Sequence, residues 1–143
     1  MFTQCVTASP RGARLARRLA RFHLDGWGIP YDTEPSDAVA QIVAELAANA
    51  ATHTRQASPD FRLRLLLLEG EVLIEVTDTD TGGGPPREVR LPPPGEESGR
   101  GLALVAAMAA RWGVVAGRAG DKTVWASVRL GGDTGRPRPR AGA

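Results

Sequence analysis

Apolar positions recur along the chain with two periods, and each change of period marks a change of element. From Asp37 to Thr54 (DAVAQIVAELAANAATHT), Val39, Ile42, Val43, Leu46 and Ala50 keep the i, i+3, i+4, i+7 spacing of a buried helical stripe. Upstream, Ser9-Pro10 offers an N-cap with proline at the first helical position. The helix it opens, to about Leu24, is expected to bury Leu15, Leu19 and Phe22 and to show Arg11, Arg14, Arg18 and Arg21 on a neighbouring stripe. Gly26, Gly28 and Pro30 end it, and Thr33 or Ser36 starts the next helix. Residues 2–8 (FTQCVTA) alternate like an edge strand. Phe61–Leu68 and Glu71–Thr77 flank Glu69-Gly70 and read as a β-hairpin. Further on, Gly99-Arg100-Gly101 opens a helix with Leu102, Val105, Ala109 and Trp112 at helical spacing. Val114–Ala116 and Thr123–Leu130 read as closing strands, the second with Val124, Ala126, Val128 and Leu130 on one face.

The order is β, α, α, β, β, long loop, α, β, β. Strands paired as hairpins with helices stacked on one face make a two-layer α/β sandwich, its sheet mixed but mainly antiparallel, rather than a doubly wound sheet. The domain is expected over residues 1–130. From Gly131 the stretch GGDTGRPRPRAGA has nothing to bury, which predicts a disordered tail over 131–143.

Composition narrows the setting. The chain has 143 residues, 42% hydrophobic and 24% charged, the profile of one packed domain. No apolar run reaches the roughly 20 residues of a membrane span. The N-terminus has no secretory apolar block, and Cys5 is the single cysteine, so a cytoplasmic protein with no membrane partner is expected. The net charge of +2 is too small to argue for nucleic acid. The arginine row of the first helix is either a solvated face or a docking surface for an acidic partner protein.

Polar residues stand out in four places. Glu45, Asn49 and His53 are spaced by four, a carboxylate, an amide and an imidazole stacked along the edge of the apolar stripe. Asp78 follows Val72, Ile74 and Val76 on the same strand face. A carboxylate there costs several kcal/mol unless satisfied, so either the strand ends and Asp78 turns to water or it meets a specific donor; spacing favours the first. Residues 79–100 are rich in glycine and proline without periodicity, and a loop of this length in a compact domain is more often functional or disordered than merely connective. Gly99-x-Gly101 at a helix start is either only a helix start or a backbone approach to phosphate. His53 likewise fits the end of its helix, bonding the last carbonyls, as well as a ligand. Trp27, Trp112 and Trp125 read as packing residues.

Taken together, these motifs resemble the GHKL family of ATP-binding domains (the Bergerat fold of gyrase and histidine kinases). More closely they are similar to the serine-kinase anti-sigma factors and related stand-alone regulators of bacteria. The N-box reads Glu45-Leu46-Ala47-Ala48-Asn49-Ala50 with His53; the first glycine box, Asp78-Thr79-Asp80-Thr81-Gly82; the second, Ser98-Gly99-Arg100-Gly101-Leu102; Thr123 sits on a closing strand. The resemblance implies ATP and Mg²⁺ as cofactors, with Asn49 holding the metal against the phosphates. It implies that Asp78 accepts a hydrogen bond from the adenine amino group, which reverses the preference for a solvated Asp78, with Thr123 supporting the same ring. Gly82 would let the backbone pass the base. Gly99, Arg100, Gly101 and Leu102 would form the phosphate-side box, His53 would sit beside the phosphates, and the segment 83–98 would be the ATP lid.

Under the same resemblance Glu45 is the general base that takes a proton from a serine hydroxyl of an anti-sigma factor antagonist. The implied partners are that antagonist and a sigma factor, with homodimerisation left open. The alternative is an ATP-dependent binding switch with little or no catalysis. A histidine-kinase fragment is disfavoured, because no helix pair with a phosphoacceptor histidine precedes the domain. Two residues depart from the family pattern: Asp80 stands where glycine is usual, and Glu97 where a basic residue is expected, with Arg100 as its substitute. Both acids are expected to weaken ATP affinity or to require Mg²⁺ as an offset.

Overall fold

A computed structural model describes residues 1–53, 60–78, 97–117 and 121–131, with backbone only at 51–53 and 97–100. Its strands are β1 (Phe2–Thr7), β2 (Asp60–Leu68), β3 (Glu71–Asp78), β4 (Arg111–Ala116) and β5 (Lys122–Arg129); its helices are α1 (Pro10–Gly26), α2 (Glu34–His53) and α3 (Glu97–Met108). The strands form one sheet in the order β1-β2-β3-β5-β4. Every neighbouring pair is antiparallel, so the sheet is not mixed. Hairpins join β2 to β3 and β4 to β5, which leaves no parallel pair for a crossover to make.

Period-2 alternation gives the sheet one buried face. Phe61, Leu63 and Leu65 of β2, Val72, Ile74 and Val76 of β3, and Val124, Ala126 and Val128 of β5 lie on it, in register. The helices cover that face. α2 is the central one, contacting α1, α3 and the sheet, and its Val39, Ile42, Val43, Leu46 and Ala47 are fully buried. Each large apolar side chain buried there contributes about 1.5–3 kcal/mol. Thr33 caps α2 through its Oγ1, which accepts from the Ser36 amide at 3.4 Å, and Glu34 and Asp37 complement the dipole of the first turn.

The face of α1 differs from the one expected. Gly12, Ala16, Ala20 and Leu24 are buried, whereas Leu15 and Phe22 are exposed and Leu19 is half-buried. The reason is distance. A Cβ on Gly12 would collide with the carbonyl oxygen of Thr7, so the helix lies against the end of β1 more closely than leucines allow. The small residues Gly12, Ala16 and Ala20 make that approach feasible. Ser9 caps the helix as expected, accepting from the Gly12 amide at 3.0 Å.

Other boundaries also move. α3 begins at Glu97, before the glycine pair, and ends at Met108. Trp112 therefore belongs to β4, which starts at Arg111 rather than Val114 because Arg111 and Trp112 pair with Ser127 and Ala126. Gly113 accommodates Trp125, whose ring would lie about 3.0 Å from any Cβ added there. β3 runs through Asp78, so the strand does not release that residue to water. The 79–96 segment and the 132–143 tail lie outside the described residues.

Chain direction then gathers one end of the molecule. The pairs Thr7↔Asp60, Phe61↔Asp78 and Asp78↔Lys122 mark a single end of the sheet. α1 starts there, from Thr7, and the antiparallel packing of α2 brings His53 back toward it. α3 leads down to Arg111, which pairs with Ser127 at the opposite side of the ladder, so its first turn also belongs to the Asp78 end.

Candidate functional site

At that end, α2 carries a row of polar side chains on its α3 side. Glu45 is half-buried, and its Oε1 accepts from Gln41 Nε2 at 2.9 Å. Its Oε2 lies 2.9 Å from where a Cβ on Gly101 would sit, so the first turn of α3 leans directly on the carboxylate. An alanine at 101 would have to push Glu45 aside. Asn49, one turn further on, is also half-buried. His53 closes the helix another turn beyond, and with a 1.5 Å rise per residue it lies about 12 Å along the axis from Glu45. Its side chain lies outside the description, as does that of Arg100, whose backbone, like that of Gly99, is helical.

Across from this row stands Asp78, the last residue of β3, 7% exposed and on the helix-covered face with Val76 and Ile74. The strand continues to it because its ladder partners, Phe61 and Lys122, extend on both sides. A buried carboxylate at a strand end, on the face that the helices cover, is a strong acceptor set into the rim of the core. It fits the exocyclic amine of a purine. The amide oxygen of Asn49 fits a hard divalent cation. The free amides of α3 are those of its first turn, from Glu97, where the helix dipole favours negative charge.

Thr123 does not join Asp78. Its Oγ1 and that of its register partner Thr77 lie 2.8 Å apart and share a hydrogen bond. Residues paired across a ladder point to one face, and Thr77 and Asp78 are consecutive, so Thr123 is on the opposite side of the sheet from Asp78. The position that shares the Asp78 face is Lys122. Counting alternation from Val124 back to Lys122, with the hairpin register known, is the signal that identifies it. Leu102, from the second glycine box, is 5% exposed within the main core, where it anchors α3 rather than facing a ligand. Gly82 and Asp80 lie outside the described residues.

Gln41 is the residue that sequence reasoning missed, although the signal was present: it continues the four-residue spacing of Glu45, Asn49 and His53 by one turn. A second polar feature lies on the exposed side of α1, in the half of the helix that starts from this end. Arg11, Arg14 and Arg18 surround Leu15 at a shallow groove of about 330 Å³. Arg21 of the same row instead reaches Asp37 at 3.5 Å, a surface pair worth about 0–1 kcal/mol.

Among the described residues no helix is long and apolar enough to cross a membrane. A search of curated proteins returns no match. A family model does match, that of the histidine kinase-like ATPase domain, over residues 6–128. The matched span runs from β1 through β5 and takes in α2, Asp78 and the first turn of α3. The fold, the end-on gathering of these residues and the match agree: the chain belongs to the histidine kinase-like ATPase domain family.

Proposed function

We propose that this chain is an ATP-dependent regulator of the anti-sigma-factor type, which phosphorylates a serine on an antagonist protein and binds a sigma factor. The observation that supports this most is the close approach of Glu45 to α3 at Gly101, with Asp78 buried at the end of β3 and Asn49 one turn along α2 from Glu45. In this reading Asp78 accepts from the adenine amine, Asn49 is the protein ligand to Mg²⁺, and the amides at the start of α3 face the phosphates. Mg²⁺, when bound, neutralises charge on the phosphates. Glu45 holds the proton that leaves the serine hydroxyl as its oxygen bonds to the γ-phosphorus and the bond to the β-phosphate oxygen breaks. The products are a phosphoserine and ADP.

The partner surface in this reading is the exposed side of α1. Three arginines around Leu15, with Phe22 64% exposed on the same helix, offer cations and apolar contact together, which suits an acidic amphipathic segment. A cytoplasmic setting fits such a partner.

A second reading is favoured by the acidic residue at the start of α3. Glu97 opens the helix whose first turn would face the phosphates, and its charge opposes theirs. A switch that binds ATP without transferring phosphate would tolerate that. The two readings part on one experiment, a pull-down with and without ATP followed by phosphosite mapping of the retained proteins. A phosphoserine on a retained protein, lost in Glu45→Ala with ATP binding kept, supports the kinase. ATP-dependent retention without phosphate, unchanged in Glu45→Ala, supports the switch.

A further inference from the structure

We infer that Gln41 is a positioning residue for Glu45, holding its carboxylate in one orientation at the border of α2 and α3. The inference rests on the reading of Glu45 as the proton acceptor and adds to it a residue that the family motifs do not include.

A glutamate has three side-chain torsions and is of little use as a base unless its oxygen stays within about 2.6–3.2 Å of the proton it takes. Here both oxygens are constrained from different sides. Oε1 receives the Gln41 amide at 2.9 Å, and Oε2 is set against the α3 backbone at Gly101, 2.9 Å from the position of an absent Cβ. The first contact comes from the same helix, one turn back, where side chains four apart meet without distorting the backbone. The second comes from another helix, where the missing Cβ of Gly101 leaves the room that Oε2 occupies. The hydrogen bond from Gln41 is what orients the carboxylate within that room.

The chemistry of the donor matters too. Gln41 is neutral, so it orients the carboxylate without setting a full positive charge beside a group that must accept a proton. It occupies one of the roughly four lone-pair directions of the carboxylate and leaves others open. Gln41 is itself half-buried, which limits the water that could replace its hydrogen bond. Leucine at 41 would keep the volume and helix propensity while removing the donor; glutamate would replace it with a like charge.

The test has one structural and one kinetic arm, both on the full chain. In the structural arm, the side-chain amide resonances of Gln41, assigned by their loss in Gln41→Leu, are followed in Glu45→Ala. They are expected to shift and to exchange faster with water; unchanged resonances would overturn the inference whatever the protein's activity. In the kinetic arm, Gln41→Leu is expected to lower kcat for phosphotransfer about tenfold, with the KM for ATP unchanged, as small misplacements of a reacting group do. Gln41→Glu should lower it further. In a Glu45→Gln background Gln41→Leu should then have no effect. An equal loss in both backgrounds, or none in either, would contradict positioning. If the wild type transfers no phosphate, the kinase reading fails by itself, and the resonance result alone decides whether Gln41 holds Glu45.

Discussion

At the scale of single residues, Asp78 and the neighbouring Thr77–Thr123 pair separate what serves the Asp78 end from what serves stability. Asp78 is buried at a strand terminus, with Lys122 its ladder partner on the same face. Replacing it with asparagine keeps the shape and removes the charge. Charge-assisted hydrogen bonds are worth about 1.5–3 kcal/mol, so Asp78→Asn is expected to weaken ATP binding roughly 10- to 150-fold by titration calorimetry. The Thr77–Thr123 hydrogen bond lies on the other face and should not matter to ATP. Thr77→Val is expected to cost about 1 kcal/mol of stability in denaturant titration, and the double change with Thr123→Val about the same or less, because no hydroxyl is then left without a partner. ATP affinity should be unmoved in both.

The elements show how much was legible in the sequence, and why the rest was not. The stripe of α2, the β2–β3 hairpin and the order of elements were readable, because Val39, Ile42, Val43 and Leu46 are large and regularly spaced. The buried face of α1 was not. Periodicity finds large apolar residues, and in this helix the inward row is Gly12, Ala16 and Ala20, chosen for close approach, while Leu15 and Phe22 point outward. Ala16→Leu is therefore expected to destabilise by about 1–3 kcal/mol through overpacking, and Leu15→Ala to change stability by less than about 0.5 kcal/mol. Thermal unfolding of the two variants compares them directly; the reverse order would show that the leucines carry the core. Gly12→Ala should be the most damaging of all, since the obstacle is the backbone carbonyl of Thr7.

The candidate site divides along a similar line. Glu45 and Asn49 were legible as polar residues at the edge of an apolar stripe, whereas spacing alone favoured a solvated Asp78, which the ladder with Phe61 and Lys122 instead keeps buried. The side of the sheet on which Thr123 lies was not, because it follows from ladder register, which a single strand pattern does not specify. Gln41 escaped for a different reason: its role comes from a contact between side chains and not from a motif. The place of Gly101 against Glu45 joins two helices distant in sequence, and only the packed structure brings them together.

For the whole molecule, the antiparallel sheet and three helices bring residues from α2, β3 and α3 to one end, which in the proposed reading takes ATP. The exposed α1 surface is carried by the helix that starts from the same end. Binding of an acidic partner there should weaken as salt rises, since three exposed arginines supply the attraction. Binding of ATP sets the ground for every other proposal. Calorimetric titration of the purified chain with ATP in the presence of Mg²⁺ tests it most directly. A saturable heat near one site per chain is expected, retained in Glu45→Ala and strongly weakened in Asp78→Asn. A wild-type chain that gives no heat of binding, or an Asp78→Asn chain that binds as the wild type does, would contradict a nucleotide site at this end of the fold.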